Sequence, residues 1–345
     1  MIRHALRRLL TVPAVVLLLV LSVVLLPVVT LGQILSCVRV LGGGRVRGRA
    51  LRVVAFAVVY TLGECLCLLA CLALWLAAPV ARWRDGARFQ ARHVRVLRGL
   101  LGALIRAAET VFAFRLRLEH PRRAADTLVA GGRPLIVLAR HAGPGASFVL
   151  VHVLLREAGR VPLIVLKKRL RLDPALDVLL GRLGCAFIGN SGIRGEVATA
   201  AVAALAADLG PSDALVLFPE GGDWTPTRHR LAERRLRRRG LRREAAAAAA
   251  MPNVLPPRPA GTFAALTAAP AAELAIFMHT GHDDPLDVAS LWAALPLRRE
   301  LHMVWWNEPR PQVADPDDCA RWLNDVWKRI DAWVGEQADM FDAAS

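Results

Sequence analysis

Two short stretches of the sequence combine a polar side chain with glycines in a pattern typical of an active site. His141 lies in the loop 140–146, which follows an apolar run and contains two glycines and a proline. A histidine held by a tight turn at the end of a strand is suited to act as a general base. Glu220 follows a second apolar run and precedes two glycines, so a substrate could approach the backbone closely there. Its carboxylate would orient a hydroxyl or pair with an arginine that binds phosphate.

The remaining histidines and the cysteines are weaker candidates for chemistry. His152 falls within an apolar helical pattern and His229 within a run of arginines, while His279 and His282 flank a glycine near a late strand. None of the six cysteines forms a CxxC pair or a Cys/His cluster with zinc spacing. The sequence also contains no GxSxG, Walker A or HExxH motif. It therefore predicts neither a bound metal nor a nucleophilic serine or cysteine.

The elements that must position these residues alternate between short apolar strands and helical stretches from Pro134 onward. This alternation predicts an α/β domain whose central sheet is mixed, mostly parallel and flanked by helices. The predicted strands are Pro134–Ala139, Pro162–Lys167, Cys185–Ile188, Ala214–Phe218, Glu273–His279 and Leu301–Trp306. The predicted helices are Ser147–Ala158, Asp173–Leu183, Gly195–Leu209, Arg228–Arg243 and Asp317–Val334. Open α/β sheets bind ligands at the carboxyl ends of their strands, where this pattern places both His141 and Glu220.

The composition is too apolar for an ordinary soluble domain. Of the 345 residues 55% are hydrophobic, and the formal net charge is +16. The apolar runs Val12–Val38 and Val53–Val80 each exceed the ~20 residues that cross a bilayer, and arginines flank both. We therefore predict an N-terminal membrane helical hairpin over residues 1–81. The connector between the two apolar runs is as basic as the flanking tails, so the positive-inside rule does not decide the topology. The hairpin either crosses the bilayer or dips into one leaflet and returns.

An amphipathic stretch follows the predicted hairpin. From Val94 to Leu118 apolar residues alternate with arginines, which suits a helix on the membrane surface; the alternative is a helix facing the protein core. Residues 82–120 are assigned to this helical linker, and residues 121–345 to the α/β domain with its C-terminal helix. The basic excess favours an anionic membrane surface as partner. Nucleic acid is not expected, because the run Arg228–Arg243 lacks interleaved aromatics and a recognised binding motif.

The two loops and two further stretches resemble the motifs of the glycerophospholipid acyltransferases, of the lysophosphatidate and lysocardiolipin acyltransferase type. That family is marked by His-x4-Asp, Phe-Pro-Glu-Gly and a later proline-containing block. The corresponding stretches here are His141–Ala146, Phe218–Gly221 and Leu255–Gly261. Gly184–Ile188 is similar to a fourth motif, although Asn190 stands where an arginine is usual. Four motifs in order at suitable spacing make the resemblance specific.

The resemblance implies transfer of a fatty acyl group to the free hydroxyl of a lysophospholipid such as 1-acyl-glycerol-3-phosphate. The donor would be acyl-CoA or acyl-carrier protein, with no bound cofactor, and His141 would be the general base. The residues implied to bind the substrate are Arg140, Phe218, Pro219, Glu220, Gly221 and Arg258. The enzyme would lie in the cell membrane, its catalytic domain facing the cytoplasm, where acyl thioesters are made.

One residue departs from the family pattern. Ala146 stands where the aspartate of the His-x4-Asp motif would hydrogen-bond the imidazole. In the Ser-His-Asp triad of serine proteases, where an aspartate plays the same role, loss of this carboxylate lowers turnover by a factor on the order of 10⁴. Three outcomes follow: weak activity, replacement by another acid such as Asp173 or Asp223, or a non-catalytic relative that binds lysophospholipid. If the carboxylate is simply lost, Ala146→Asp should raise acyl transfer.

Overall fold

The structure is a computed structural model. It describes residues 2–39, 48–78, 86–119, 132–143, 145–189, 195–281, 283, 288–297 and 299–343, with the side chains of 2–5, 37–39, 288, 291 and 341–343 left aside. The sequence-based expectations for Pro144, Asn190, His282 and the basic connector between the apolar runs lie outside these residues. The chain divides into two compact units. One contains residues 1–115, 168–184 and 288–298, and the other contains 116–167, 185–287 and 299–345.

The described elements follow one another along the chain as helices and strands. In order they are α1 (Ile2–Arg39), α2 (Arg49–Leu76), α3 (Ala87–Phe112), β1 (Leu116–Glu119), β2 (Leu135–Ala139), α4 (Ala146–Arg156), β3 (Val161–Lys167), α5 (Pro174–Arg182), β4 (Ala186–Ile188), α6 (Glu196–Ala207), β5 (Asp213–Leu217), α7 (Pro226–Arg238), α8 (Arg242–Ala249), α9 (Pro259–Ala268), β6 (Glu273–Thr280), α10 (Val288–Ala294), β7 (Leu301–Asn307) and α11 (Pro316–Ala343). A 3-10 helix, Lys168–Leu172, precedes α5.

The first unit is helical. The segments Leu6–Ser36 and Arg49–Leu76 are long and apolar enough to cross a membrane, by length and composition. Helix α2 packs between α1 and α3 and also contacts α5. Polar bonds fasten this bundle: Glu64 accepts a hydrogen bond from the N–H of Ala175 at 3.1 Å. In the same first turn of α5, Asp177 forms ion pairs with Arg7 and Arg8, both at 2.8 Å.

The second unit contains a seven-stranded sheet in the order β1-β7-β6-β2-β5-β3-β4. All neighbouring strands are parallel except β6 and β7, which are antiparallel. Every residue of the central strand β2 is buried, as expected for a strand covered on both faces. One side of the sheet carries the main core, in which Trp327 and Ile330 of α11 pack with Leu215 of β5 and Ala265 of α9. The predicted α/β class with a mostly parallel sheet flanked by helices is confirmed.

All six predicted strands are present, but the edge strand β1 was not predicted. The sequence assigned Leu116–Glu119 to the end of a surface helix, whereas α3 stops at Phe112. Ala113 adopts a left-handed conformation, φ 57°, and the N–H of Phe114 donates to the carbonyl of Ala108 at 3.2 Å, which closes the helix. Strand β1 then pairs with β7, so the sheet begins ahead of residue 121, the boundary drawn from the sequence. The Leu-Arg-Leu-Glu sequence of β1 continues the mixture of apolar and charged residues in α3, so the pattern predicts a continuation of that helix.

Candidate active site

His141 lies at the carboxyl end of the central strand β2. Its neighbour Arg140 extends the strand pairing through a bond from its N–H to the carbonyl of Phe277, at 3.0 Å. Gly143 then adopts φ 73°, a conformation that favours glycine, and α4 begins at Ala146. Strand β5 is the parallel neighbour of β2, so the loop that begins at Phe218 leaves the sheet at the same edge. The two loops singled out in the sequence therefore lie side by side.

The imidazole of His141 is paired with a carboxylate. Its Nδ1 lies 2.9 Å from Oδ1 of Asp223. The backbone is held as well, because the N–H of Trp224 donates to the carbonyl of His141 at 2.7 Å. The ring of Phe218 packs against the imidazole with 4.6 Å between centroids. A carboxylate on Nδ1 fixes the tautomer in which Nδ1 carries the hydrogen, leaving Nε2 to accept a proton.

Asp223 is held in its ionised form. Partial burial alone would raise the pKa of this carboxyl, but the hydrogen bond from His141 and the charges of His141 and Arg228 lower the pKa below its ordinary value. Nη1 of Arg228 lies 3.5 Å from Oδ2 of Asp223 and also donates to its carbonyl at 3.0 Å. The carboxylate is therefore available to stabilise an imidazolium at neutral pH.

The structure distinguishes between the two acids that the sequence offered as replacements. Asp223 contacts His141, whereas Asp173 is the N-cap of α5, where it accepts the N–H of Leu176 and the hydroxyl of Tyr60. Ala146 is buried at the first position of α4. The carboxylate thus comes from the loop after β5 rather than from the helix after the histidine. Arg228 was not singled out as part of the site, because nothing local in the arginine run distinguishes it from its neighbours.

Glu220 does not face solvent. Its side chain is 1% exposed, and its two oxygens accept backbone N–H groups, from His141 at 3.2 Å and from Leu255 at 3.1 Å. Burial raises the pKa of this carboxyl to about 7, although the charge of Arg140 and the two N–H bonds act in the opposite direction. The resemblance implied that Glu220 holds the acceptor. Here it instead joins the His141 loop, the Phe218 loop and the segment before α9.

Gly221 brings a cation to the same turn. It adopts φ 69°, and a Cβ built on it would lie 2.8 Å from Nη1 of Arg258. A side chain at position 221 would therefore displace the guanidinium. The N–H of Arg258 donates to the carbonyl of Pro219 at 2.9 Å, and the Arg258 side chain is exposed. The turn Phe218–Gly221 thus has the imidazole of His141 against its first residue and the guanidinium of Arg258 against its last.

Arg140 is committed to the protein interior. It is 1% exposed, and it donates to the carbonyl of His279 at 2.6 Å, to that of Asn253 at 2.8 Å and to Oδ1 of Asp283 at 2.9 Å. Burial, followed by the charge of Arg140, lowers the pKa of His279 to about 4. The expectation that Arg140 binds a phosphate is corrected, because its charge and three of its hydrogen bonds are used internally.

The arrangement combines a base with an exposed cation. His141 can remove a proton from a hydroxyl, and Arg258 can attract a phosphate. Within the part of the chain that the structure describes, no group of three or more His, Cys, Asp or Glu side chains is placed to hold a metal ion. No model of a known protein family matches the chain. A search of curated proteins finds no match either.

Proposed function

We propose that this protein transfers a fatty acyl group from an acyl thioester, either acyl-CoA or acyl-carrier protein, to the free hydroxyl of a lysophospholipid. The observation that carries the proposal is the His141–Asp223 pair, whose Nδ1–Oδ1 distance is 2.9 Å, next to a turn that also bears Arg258. A base activated by a carboxylate suits proton removal from an alcohol. A guanidinium at the same turn suits the phosphate of a glycerophospholipid.

In the proposed reaction, each of these residues has one role. Nε2 of His141 accepts the proton of the acceptor hydroxyl while the oxygen attacks the thioester carbonyl. Asp223 stabilises the imidazolium that forms. Collapse of the tetrahedral intermediate forms the ester and breaks the carbon–sulfur bond, and the imidazolium returns its proton to the departing thiolate. Arg258 binds the acceptor phosphate throughout, while Glu220 keeps the His141 and Phe218 loops together.

The test is an acyl-transfer assay on the full-length protein in membranes, with a labelled acyl thioester and a panel of lysophospholipids. We expect labelled diacyl phospholipid from the parent and none above background from His141→Ala, with unchanged thermal melting of the variant. Lysophospholipid binding without turnover in the parent would instead identify a non-catalytic relative. Turnover that survives His141→Ala would contradict the proposed mechanism.

We also propose that the first unit anchors the protein in one leaflet. Helix α2 lies against α3 along most of its length: Phe56 packs on Phe112 with 4.6 Å between centroids, and a Cβ on Gly63 would lie 2.9 Å from Cδ1 of Leu100. The outer face of α3 carries exposed arginines at 88, 92, 95, 98 and 106. If α2 crossed the bilayer, these would enter hydrocarbon at about 3 kcal/mol each near the centre.

If α2 and α3 lie in the membrane plane, the apolar side of α2 can contact lipid while the arginines of α3 stay out of the hydrocarbon. The side of α2 away from α3 exposes a stripe of leucines, Leu62, Leu66, Leu69, Leu72 and Leu76. Such a stripe suits burial in the acyl region, while the arginines of α3 remain at the headgroups. The second unit would then face the cytoplasm, where acyl thioesters are made.

A further inference from the structure

The most strongly charged surface in the described chain is formed by α7 and α8. We call it the basic surface and define it by its exposed arginines, Arg228, Arg230, Arg234, Arg235, Arg237, Arg238, Arg239, Arg242 and Arg243. Glu233 is the one acidic residue between positions 228 and 243, and it pairs with Arg237. The proposed acyl-transfer chemistry uses only Arg228, which leaves eight arginines without a role.

The structure corrects the prediction of one helix over this stretch. Helix α7 ends at Arg238, and Gly240 turns the chain with φ 75° into α8. His229 is buried and bonds the carbonyl of Ala248 at 3.0 Å, which fixes α7 against α8. The α7 helix begins at a well-formed cap, with Thr225 accepting the N–H of Arg228 at 3.1 Å. The arginines are thus carried by a capped, packed helix pair.

The arginines of α7 and Arg239 surround the exposed side of the helix. At 100° per residue they occupy an arc of about 200°, while the buried His229 lies on the opposite side. Leu231 lies near the middle of this arc with 51% of its surface exposed. An exposed leucine flanked by arginines matches the amphipathic pattern of helices that lie in the headgroup region of a bilayer.

The basic surface is continuous with the candidate active site. Arg228, at the start of α7, contacts Asp223, which in turn bonds His141. Whatever occupies the surface is therefore brought next to the imidazole. A bilayer there would supply acceptor lipids directly.

We infer that the basic surface binds the headgroup layer of an anionic phospholipid bilayer. Guanidinium groups form paired hydrogen bonds with phosphate oxygens, and all nine basic residues here are arginine. A rigid folded protein would contact one side of α7, whereas a headgroup layer several ångströms deep can surround a 200° arc. Leu231 would reach the acyl boundary while its neighbours stay at the phosphates. This surface would bind lipid whether or not the protein transfers acyl groups.

The test is arginine footprinting of the full-length protein in lipid nanodiscs. Phenylglyoxal modification would be followed residue by residue with mass spectrometry, in discs of phosphatidylcholine alone and in discs that also contain phosphatidylglycerol. Arg321 on α11 is a matched reference for Arg237. Their side chains are 70% and 66% exposed, and each pairs with one carboxylate on its own helix.

We expect Arg234, Arg235, Arg237 and Arg238 to react about fivefold more slowly in anionic discs, with Arg321 unchanged. High salt should remove most of this protection. Replacing these four arginines by glutamine should expose Arg230 and Arg239 to modification, whereas replacing them by lysine should preserve most of the protection.

Equal modification in neutral and anionic discs would overturn the inference. Protection in neutral discs by added acyl-carrier protein, without protection by anionic lipid, would also overturn it and would identify an acidic protein as the partner. The footprinting experiment measures arginine modification rather than turnover, so its outcome does not depend on whether the protein transfers acyl groups. Likewise, unprotected arginines would not contradict the proposed acyl transfer.

Discussion

At the scale of single residues, the site depends on where a carboxylate lies in space rather than in sequence. The imidazole needs an oxygen within hydrogen-bond distance of Nδ1, and Asp223 provides it from the loop after β5. Arg228 adds a charge that keeps this carboxylate ionised. Ala146 therefore does not by itself imply a missing acid.

Asp223→Asn should lower acyl transfer by about 10²–10⁴ in kcat while leaving KM for the acceptor within a few-fold. The amide can still hydrogen-bond Nδ1, but it cannot stabilise the imidazolium and can favour the wrong tautomer. Asp208→Asn is the matched control, since Asp208 is an exposed carboxylate at the end of α6. Activity of Asp223→Asn equal to that of the parent would show that His141 does not rely on this acid.

Ala146→Asp should not raise acyl transfer, contrary to the expectation from the sequence alone. The single hydrogen on Nδ1 of His141 is already directed at Asp223, so a second carboxylate finds no donor there. Ala146 is also buried, so an added charge should lower the melting temperature. Steady-state rates and thermal melts of the purified variant check both points. A tenfold gain in rate would show that the His141–Asp223 pair is not the working base.

At the scale of elements, the site is assembled by turns at the end of two parallel strands. Glu220 accepts N–H groups from the segment after β2 and from the segment before α9, which fastens three stretches of chain that are distant in sequence. Gly221 then allows Arg258 to approach the same turn. The geometry of the base and the cation thus depends on one buried carboxyl and one glycine.

The Glu220 carboxyl should make stability depend on pH. Burial raises its pKa from 4.5 to about 7, so the folded protein binds its proton more tightly than the unfolded chain does. This tighter proton binding contributes about 3 kcal/mol to the free energy of unfolding. The contribution is fully present below pH ~4.5 and is lost as the pH rises through ~7. Chemical unfolding at several pH values should show this fall in the parent.

Glu220→Gln should remove that fall, because an amide does not titrate. The variant should also be less stable overall, since an amide oxygen cannot accept from both N–H groups that the carboxylate now serves. Glu244→Gln, at an exposed position of α8, is the control and should retain the parent profile. Identical pH profiles of the parent and Glu220→Gln would contradict the assignment.

At the scale of the whole molecule, the chain passes repeatedly between two units. After β3 it contributes residues 168–184 to the helical unit, and after β6 it contributes residues 288–298. Arg49 of α2 donates to the carbonyls of Ala293 and Leu295 within that unit. The apolar N-terminal helices are therefore joined to later parts of the chain by polar bonds, unlike a free membrane tail.

The in-plane anchor predicts that the connector between α1 and α2 stays on the same side of the membrane as the basic surface. Single cysteines would replace Arg45 in the connector and Arg237 on α7, in a protein with the native cysteines changed to alanine. An impermeant maleimide should label both positions from the same side of sealed vesicles. Labelling from opposite sides would indicate that the hairpin crosses the bilayer.

Much of the architecture could be derived from the sequence because it depends on local patterns. Strands such as Leu135–Ala139 and Asp213–Leu217 are short apolar runs between turn residues, and their carboxyl ends place His141 and Glu220 at one edge. The apolar length of the first two helices likewise follows from composition alone. These properties are set by residues close together in the chain, so periodicity and hydropathy report them.

Only the tertiary structure decided what each polar side chain contacts. The choice of Asp223 over Asp173, the inward direction of Arg140 and the two N–H partners of Glu220 all depend on residues far apart in the chain. Burial of a charged group is stable only where distant partners satisfy it, and no local pattern encodes those partners. Glu220, the carboxylate of the motif, therefore holds loops together, while Asp223, three residues later in the same loop, pairs with the base.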